Sequence, residues 1–195
     1  MPLFNTKENY TVDKNQAWTC NIERMETQTS DAGKKHIQAV LPELKKDFSF
    51  FFTSNGSWSM DNIMEHVLEL MKWNASVIMF SWSFGKKAAA RIRNFKKKGL
   101  IREMKLLTHP MVKSGNFSTI KMLGSETQVA YTRIHAKGFI DQNDIFKVSV
   151  ISSSNYTDNQ TLECGCISTI PKIYDYHKEW LRSFFETPNG EVKPC

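Results

Sequence analysis

Two short stretches carry residue types that could do chemistry on a phosphate, residues 134–141 (IHAKGFID) and residues 150–157 (VISSSNYT). Side chains alternate along a β-strand, so a strand over 134–141 turns His135, Lys137, Phe139 and Asp141 to one face. A following strand that ends at Ser153 and Asn155 presents a hydroxyl and an amide in the same way. An imidazole, an ammonium, a hydroxyl and an amide together suit a phosphoryl group. The histidine serves as nucleophile or general acid, and the other three neutralise and hydrogen-bond the non-bridging oxygens.

The remaining candidates are weaker when each is taken singly. His109 precedes Pro110 in a loop after a strand expected to be parallel, and such loops border binding sites, so it is a candidate substrate contact. The segment 85–99, GKKAAARIRNFKKKG, is a basic helix in which Lys86, Lys87 and Arg91 are candidates for nucleic-acid binding. His66 and His177 fall within or beside apolar helical stripes and read as structural, and Trp58 and Trp82 read as core in preference to base-stacking platforms. Cys164 and Cys166 lie two apart in an apolar run and read as a buried structural pair. No second Cys/His pair at zinc-finger spacing accompanies them, so no metal and no cofactor is expected.

The elements that must position these residues follow from periodicity. FSFFF before Asn55-Gly56 predicts a buried strand. Met60, Ile63, Met64, Val67, Leu68 and Met71 give the next segment one apolar helical face, capped by Ser57 or Ser59. SVIMFSWSF predicts a second strand, the basic helix follows with Ala88, Ile92 and Phe95 inward, and Gly99 stops it. EMKLLT predicts a third strand, and this alternation argues for parallel pairing. Residues 114–126 read as loop or short helix. Three β-rich runs come next: VAYTRIHAKGFID, IFKVSVISSSN and LECGCIST. The last helix groups Ile173, Tyr176, His177, Trp180, Leu181, Phe184 and Phe185 on one face. Residues 1–46 read as an irregular extension with a short strand over 36–41, residues 47–187 as one α/β domain, and residues 188–195 as a flexible tail.

Composition narrows the function classes. The 195 residues suffice for one α/β domain, and their formal net charge of +6 favours an anionic partner such as nucleic acid. No run approaches the roughly 18 apolar residues of a membrane span, and the N-terminus has no apolar signal-peptide core. A cytoplasmic location is expected on that basis.

His135-Ala-Lys137 followed by Ser153-Ser-Asn155 resembles the HKD signature of the phospholipase D superfamily, H-x-K-x4-D and then G-S-x-N. The order of elements from Phe48 to Phe185 is similar to that family's as well. In its small size, its single H-A-K motif and an upstream Ser57-Trp58-Ser59, the chain resembles members carried by phages and mobile elements. The resemblance implies an α-β-α sandwich, a mixed sheet flanked by helices. It also implies a homodimer with one motif per chain, a phosphohistidine intermediate and no metal. It gives Glu163 the role of the acidic residue that follows the motif, and Asp141 that of the motif aspartate. Two departures stand out: Asp141 is six residues after His135 where the family has seven, and Ser152 replaces the glycine before Ser153. A nuclease is the reading favoured by size, charge and motif count. An inert HKD-fold nucleic-acid-binding or assembly protein comes second, and a phospholipase third.

Overall fold

The computed structural model describes residues 16–21, 24–29, 34–41, 43–56, 58–115, 117–157 and 161–186. The tail expected over 188–195 lies outside them, as does the candidate cap Ser57. Nine strands and six helices are described. β1 (Gln16–Asn21) and β2 (Arg24–Thr29) come first, then α1 (Lys34–Val40), β3 (Ser49–Asn55), α2 (Met60–Met71) and β4 (Ala75–Ser81). α3 (Lys86–Lys97), β5 (Ile101–Thr108), α4 (Pro110–Gly115), α5 (Phe117–Lys121) and β6 (Gln128–Tyr131) follow. β7 (Lys137–Gln142), β8 (Lys147–Ser152), β9 (Leu162–Ser168) and α6 (Pro171–Arg182) complete the order.

The strands form one mixed sheet in the order β2-β1-β3-β9-β8-β7-β4-β5-β6. β4, β5 and β6 are parallel neighbours, and every other adjacent pair is antiparallel. β3 therefore runs in the same direction as β4, as its place in a strand–helix–strand series requires, although three strands separate the two. β1 and β2, from the stretch expected to be an irregular extension, pair with each other and onto β3.

Period-2 alternation divides the apolar residues between the two faces. Ala75, Val77 and Met79 of β4 join α2, α3 and their neighbours in the larger apolar cluster. Ile78 and Phe80 join Ile140, Tyr174 and Leu181 under α6. The sheet is thus mixed and flanked by helices, as the α/β expectation has it. The expected α2 face is buried throughout, and Asn62 Oδ1 accepts the Ser59 backbone N–H at 3.1 Å, which fixes the helix start. Arg91 of α3 donates to Asp61 of α2 at 2.7 Å and ties the second turn of α3 to the first turn of α2. His66 contacts the Leu41 carbonyl at 2.6 Å and His177 contacts Ser149 Oγ at 2.7 Å, so both histidines have the structural placements expected of them.

Several expectations need correction. The strand expected over 36–41 falls within helix α1, because Ile37 and Leu41 are buried at helical spacing. Tyr176 is exposed, and Tyr174 is the buried tyrosine of α6, donating its hydroxyl to Gln142 Oε1 at 3.0 Å. Cys164 is exposed and Cys166 is half-buried, so the pair is not a core element. Trp58 is core, but Trp82 is 42% exposed, because β4 ends one residue before it.

The largest correction concerns the run 129–141, which is not one strand. β6 sits at the sheet edge beside β5, whereas β7 sits beyond β4. To pass from one to the other, the chain crosses three interstrand gaps, about 14 Å, and six extended Cα steps reach about 20 Å. Residues 132–136 make that crossing over the ends of β5 and β4, and Thr132 N–H donates to the Thr108 carbonyl at 3.0 Å.

Close packing is tightest where β7 begins. A Cβ on Gly138 would lie 2.1 Å from the Val150 carbonyl oxygen and 2.6 Å from the Phe80 ring, and Phe80 itself meets Trp180 edge-on at 5.6 Å. Gly138→Ala should therefore displace backbone and destabilise the protein by about 3 kcal/mol. Urea denaturation of the variant against wild type measures this, and a loss under about 0.5 kcal/mol would contradict the packing described.

Candidate functional site

Strand direction places the candidate residues on a single edge of the sheet. β4 and β5 end there, and their antiparallel relations make β7 begin, β8 end and β9 begin there as well. Ser81 and Trp82 therefore stand near His109, the crossing segment that holds His135, Lys137, the turn 153–155 and Glu163. A cavity of about 410 Å³ lined by Lys46, Asn143, Lys147 and Thr169 lies at the opposite edge and contains none of the expected residues.

His135 is exposed on the crossing segment, and Lys137 is the first residue of β7, only 6% exposed. Lys137 Nζ is 3.2 Å from both ring nitrogens of His135. An ammonium equidistant from the two cannot lie along either nitrogen's lone-pair direction, so it braces the ring without a linear bond to one nitrogen. Burial lowers the Lys137 pKa, and the Glu163 carboxylate opposes that shift.

Glu163 is 5% exposed and holds the serine of the second motif. Ser153 Oγ donates to Glu163 Oε2 and accepts the Cys164 backbone N–H at 3.0 Å, while Thr161 Oγ1 donates to Glu163 Oε1 at 3.1 Å. Ser153 N–H donates to the Cys164 carbonyl at 2.9 Å, so the turn after β8 is pinned to β9. Ser81 Oγ donates to Asn155 Oδ1 at 3.2 Å. That contact orients the amide, and among the described residues its Nδ2 has no acceptor. Ser152 donates Oγ to the Cys164 carbonyl at 2.9 Å and accepts the Ser154 N–H at 3.1 Å. Its hydroxyl thus supports the turn.

The other candidates divide by position. His109 is half-buried and its Nδ1 accepts the Met111 N–H at 3.2 Å, so the proton of a neutral ring sits on Nε2. Lys86 and Lys87 are exposed in the first turn of α3, just past the end of β4. Arg91, one turn further on, is held by Asp61. Asp141 shares the β7 face with Lys137 but lies four residues deeper. It is fully buried, and neither carboxylate oxygen has a hydrogen-bond partner. Its pKa is raised well above the usual carboxylate range by that burial.

Sequence reasoning misplaced Trp82, favouring the core over a base-stacking platform. Its ring centroid is 6.2 Å from that of His109 and 6.4 Å from that of His135. The available signal was its place just beyond a strand expected to be parallel, where sites collect. Ser81 was missed too, because a serine at a strand end is unremarkable without its partner.

No family model matches the chain, and no curated protein matches it in sequence. Among solved structures, polyphosphate kinase from Porphyromonas gingivalis aligns with a TM-score of 0.54 at 10% identity, over 75% of this chain and 27% of that one. This likeness is one of fold alone. Nuc from Salmonella typhimurium, a phospholipase D family member, aligns at a TM-score of 0.43 and 14% identity, over 62% of this chain and 84% of that one. TrmBL2, an archaeal chromatin protein, aligns at 0.44 and 10% identity, over 77% and 57%. The chain spans about a quarter of the polyphosphate kinase and just over half of TrmBL2. Among the described residues, no helix is long and apolar enough to cross a membrane.

Two outcomes follow from the electrostatics. Folded Asp141 keeps its proton to higher pH than the unfolded carboxyl, so stability falls as pH rises from about 4 towards the folded value. Asp141→Asn should remove that slope, matching wild type near pH 4 and exceeding it increasingly above, by at most about 1.4 kcal/mol per pH unit. Denaturation midpoints from pH 4 to 8 test this, and parallel curves would refute it. Glu163→Gln should lower the Lys137 pKa further, since desolvation then acts unopposed. Nitrogen-detected NMR titration of Nζ reads the shift, and a rise would contradict the assigned field.

Proposed function

We propose that this chain is a phosphodiesterase of the phospholipase D type, most favourably a nuclease, with its active site at the edge where β7 begins. The observation that carries the reading is the contact of Lys137 with His135 beside the Ser153–Glu163 pair. An exposed imidazole, a partly desolvated cation, the Ser153 hydroxyl and the Asn155 amide at one end of the strands support it.

In the proposed reaction a His135 nitrogen attacks phosphorus, forming a P–N bond as the P–O bond to the leaving group breaks. Lys137 and Asn155 Nδ2 stabilise the charge on the non-bridging oxygens, where preorganised donors act most strongly. Ser153, held by Glu163, lines the same pocket. In-line displacement needs a proton donor on the far side of phosphorus, and the chain has one motif. His135 of the partner subunit, in a two-fold homodimer, would supply that proton to the leaving oxygen. Water then attacks phosphorus, the P–N bond breaks, and the same partner imidazole takes the water's proton. The step calls on no metal or cofactor.

A polymeric anion fits the surroundings. The first turn of α3 carries Lys86 and Lys87 and no acid, although helices favour acids at that end. An anionic chain that passes the end of β4 would offset this, with His109 as a further contact, whereas the charge of Arg91 is balanced by Asp61. The net charge of +6 acts in the same direction.

The test compares wild type with His135→Ala on labelled single- and double-stranded DNA and RNA and on a bis-aryl phosphodiester, all in EDTA. Cleavage in EDTA that falls about a thousandfold in the variant is expected. Absence of turnover on every substrate, with equal nucleic-acid binding by both proteins, would replace this reading with that of an inert binding or assembly protein.

A further inference from the structure

Trp82 has an environment that packing does not explain. The residues around it in sequence are buried or half-buried, Ser81 and Phe84 fully so, yet the indole is 42% exposed at the sheet edge. It stands between His109 and His135, whose ring planes are inclined to it by 64° and 46°. Neither imidazole lies flat on the indole, so neither covers its face. The other tryptophans with described side chains differ: Trp58 is in the core, Trp180 meets Phe80 and Phe184 edge-on, and Trp73 is exposed at the opposite edge of the sheet.

Resting on the phosphodiesterase reading of His135, we propose that Trp82 is a stacking platform for the base adjoining the scissile phosphate, which makes the substrate single-stranded nucleic acid. An indole face beside the attacking histidine lies about one sugar's width from the phosphorus, where a nucleotide carries its base. Stacking on an aromatic face is open to every base but needs that base out of a duplex, since paired bases already stack on their neighbours. The two imidazoles that flank the indole are polar, which suits a base with hydrogen-bonding edges and opposes an acyl chain. The basic first turn of α3 attracts the backbone that continues past the site.

The experiment uses the full chain and a single-stranded oligothymidylate as probe. Trp82→Leu should raise KM for the single strand about tenfold or more, with a smaller effect on kcat. Trp82→Phe, which keeps an aromatic face, should recover most of the loss and guards against a folding defect. Trp73→Leu serves as the control and should behave as wild type. Binding is followed separately in the His135→Ala background, where the probe should quench tryptophan fluorescence and Trp82→Leu should abolish most of that quenching.

An unchanged KM in Trp82→Leu together with unchanged quenching overturns the stacking role and leaves the phosphodiesterase reading intact. Equal efficiency on duplex and single strand overturns the substrate assignment. Loss of the dimer in Trp82→Leu, seen by light scattering, assigns the indole to a subunit interface and also overturns the proposal. If no substrate is turned over, the phosphodiesterase reading fails and the quenching titration alone decides whether Trp82 stacks on a base.

Discussion

Five residues must carry the chain from β6, at one edge of the sheet, across the ends of β5 and β4 to the start of β7, and the candidate site depends on that crossing. With β6 outermost and β7 between β4 and β8, an extended path is the economical one for so short a link. His135 rides on this bridge and Lys137 is the first residue to re-enter the sheet. The bridge passes directly over the two strand ends that bear Trp82 and His109, which is why an imidazole far along the sequence meets residues from the first half of the domain.

The re-entry point also fixes the electrostatics. A lysine at the first position of an interior strand loses most of its water, and its charge needs compensation nearby. Glu163 provides it from β9, two strands away, and in the same position takes the hydroxyl hydrogen of Ser153. One carboxylate thus offsets part of the cation's desolvation and sets the turn after β8. The strand directions make this economy possible, because β7 starts, β8 ends and β9 starts on the same side.

Much of this could be read from the chain. The apolar stripes of α2 and α3, the buried strands around Phe50 and Met79, and the stop at Gly99 all follow from periodicity and punctuation. The grouping of His135 with Lys137 was also legible, though for a different reason from the one the sequence suggests. The two residues meet across the end of the crossing and not along one strand face. Asp141 does share the Lys137 face, but the same period carries it into the apolar interior, away from the open edge. The exposure of Trp82 and the burial of Tyr174 depend on where an element ends and on which neighbour lies across from it. Local sequence carries no record of either. The hairpin of β1 and β2 was illegible for a related reason, since its pairing is with β3, over twenty residues away.

The glycine at 138 has a further meaning for how this domain can vary. The ring of Phe80 fills the space that a side chain at 138 would take, and the other side of that ring rests against Trp180 of α6. The backbone just behind Lys137 is therefore wedged by an aromatic pair that reaches through to the far face of the sheet. A larger residue at 138 must displace both the Phe80 ring and the Val150 carbonyl, so a smaller residue at 80 alone makes no room for it. Position 138 is thus limited by a strand backbone and by a ring that packs on α6, directly beside the lysine that opens β7.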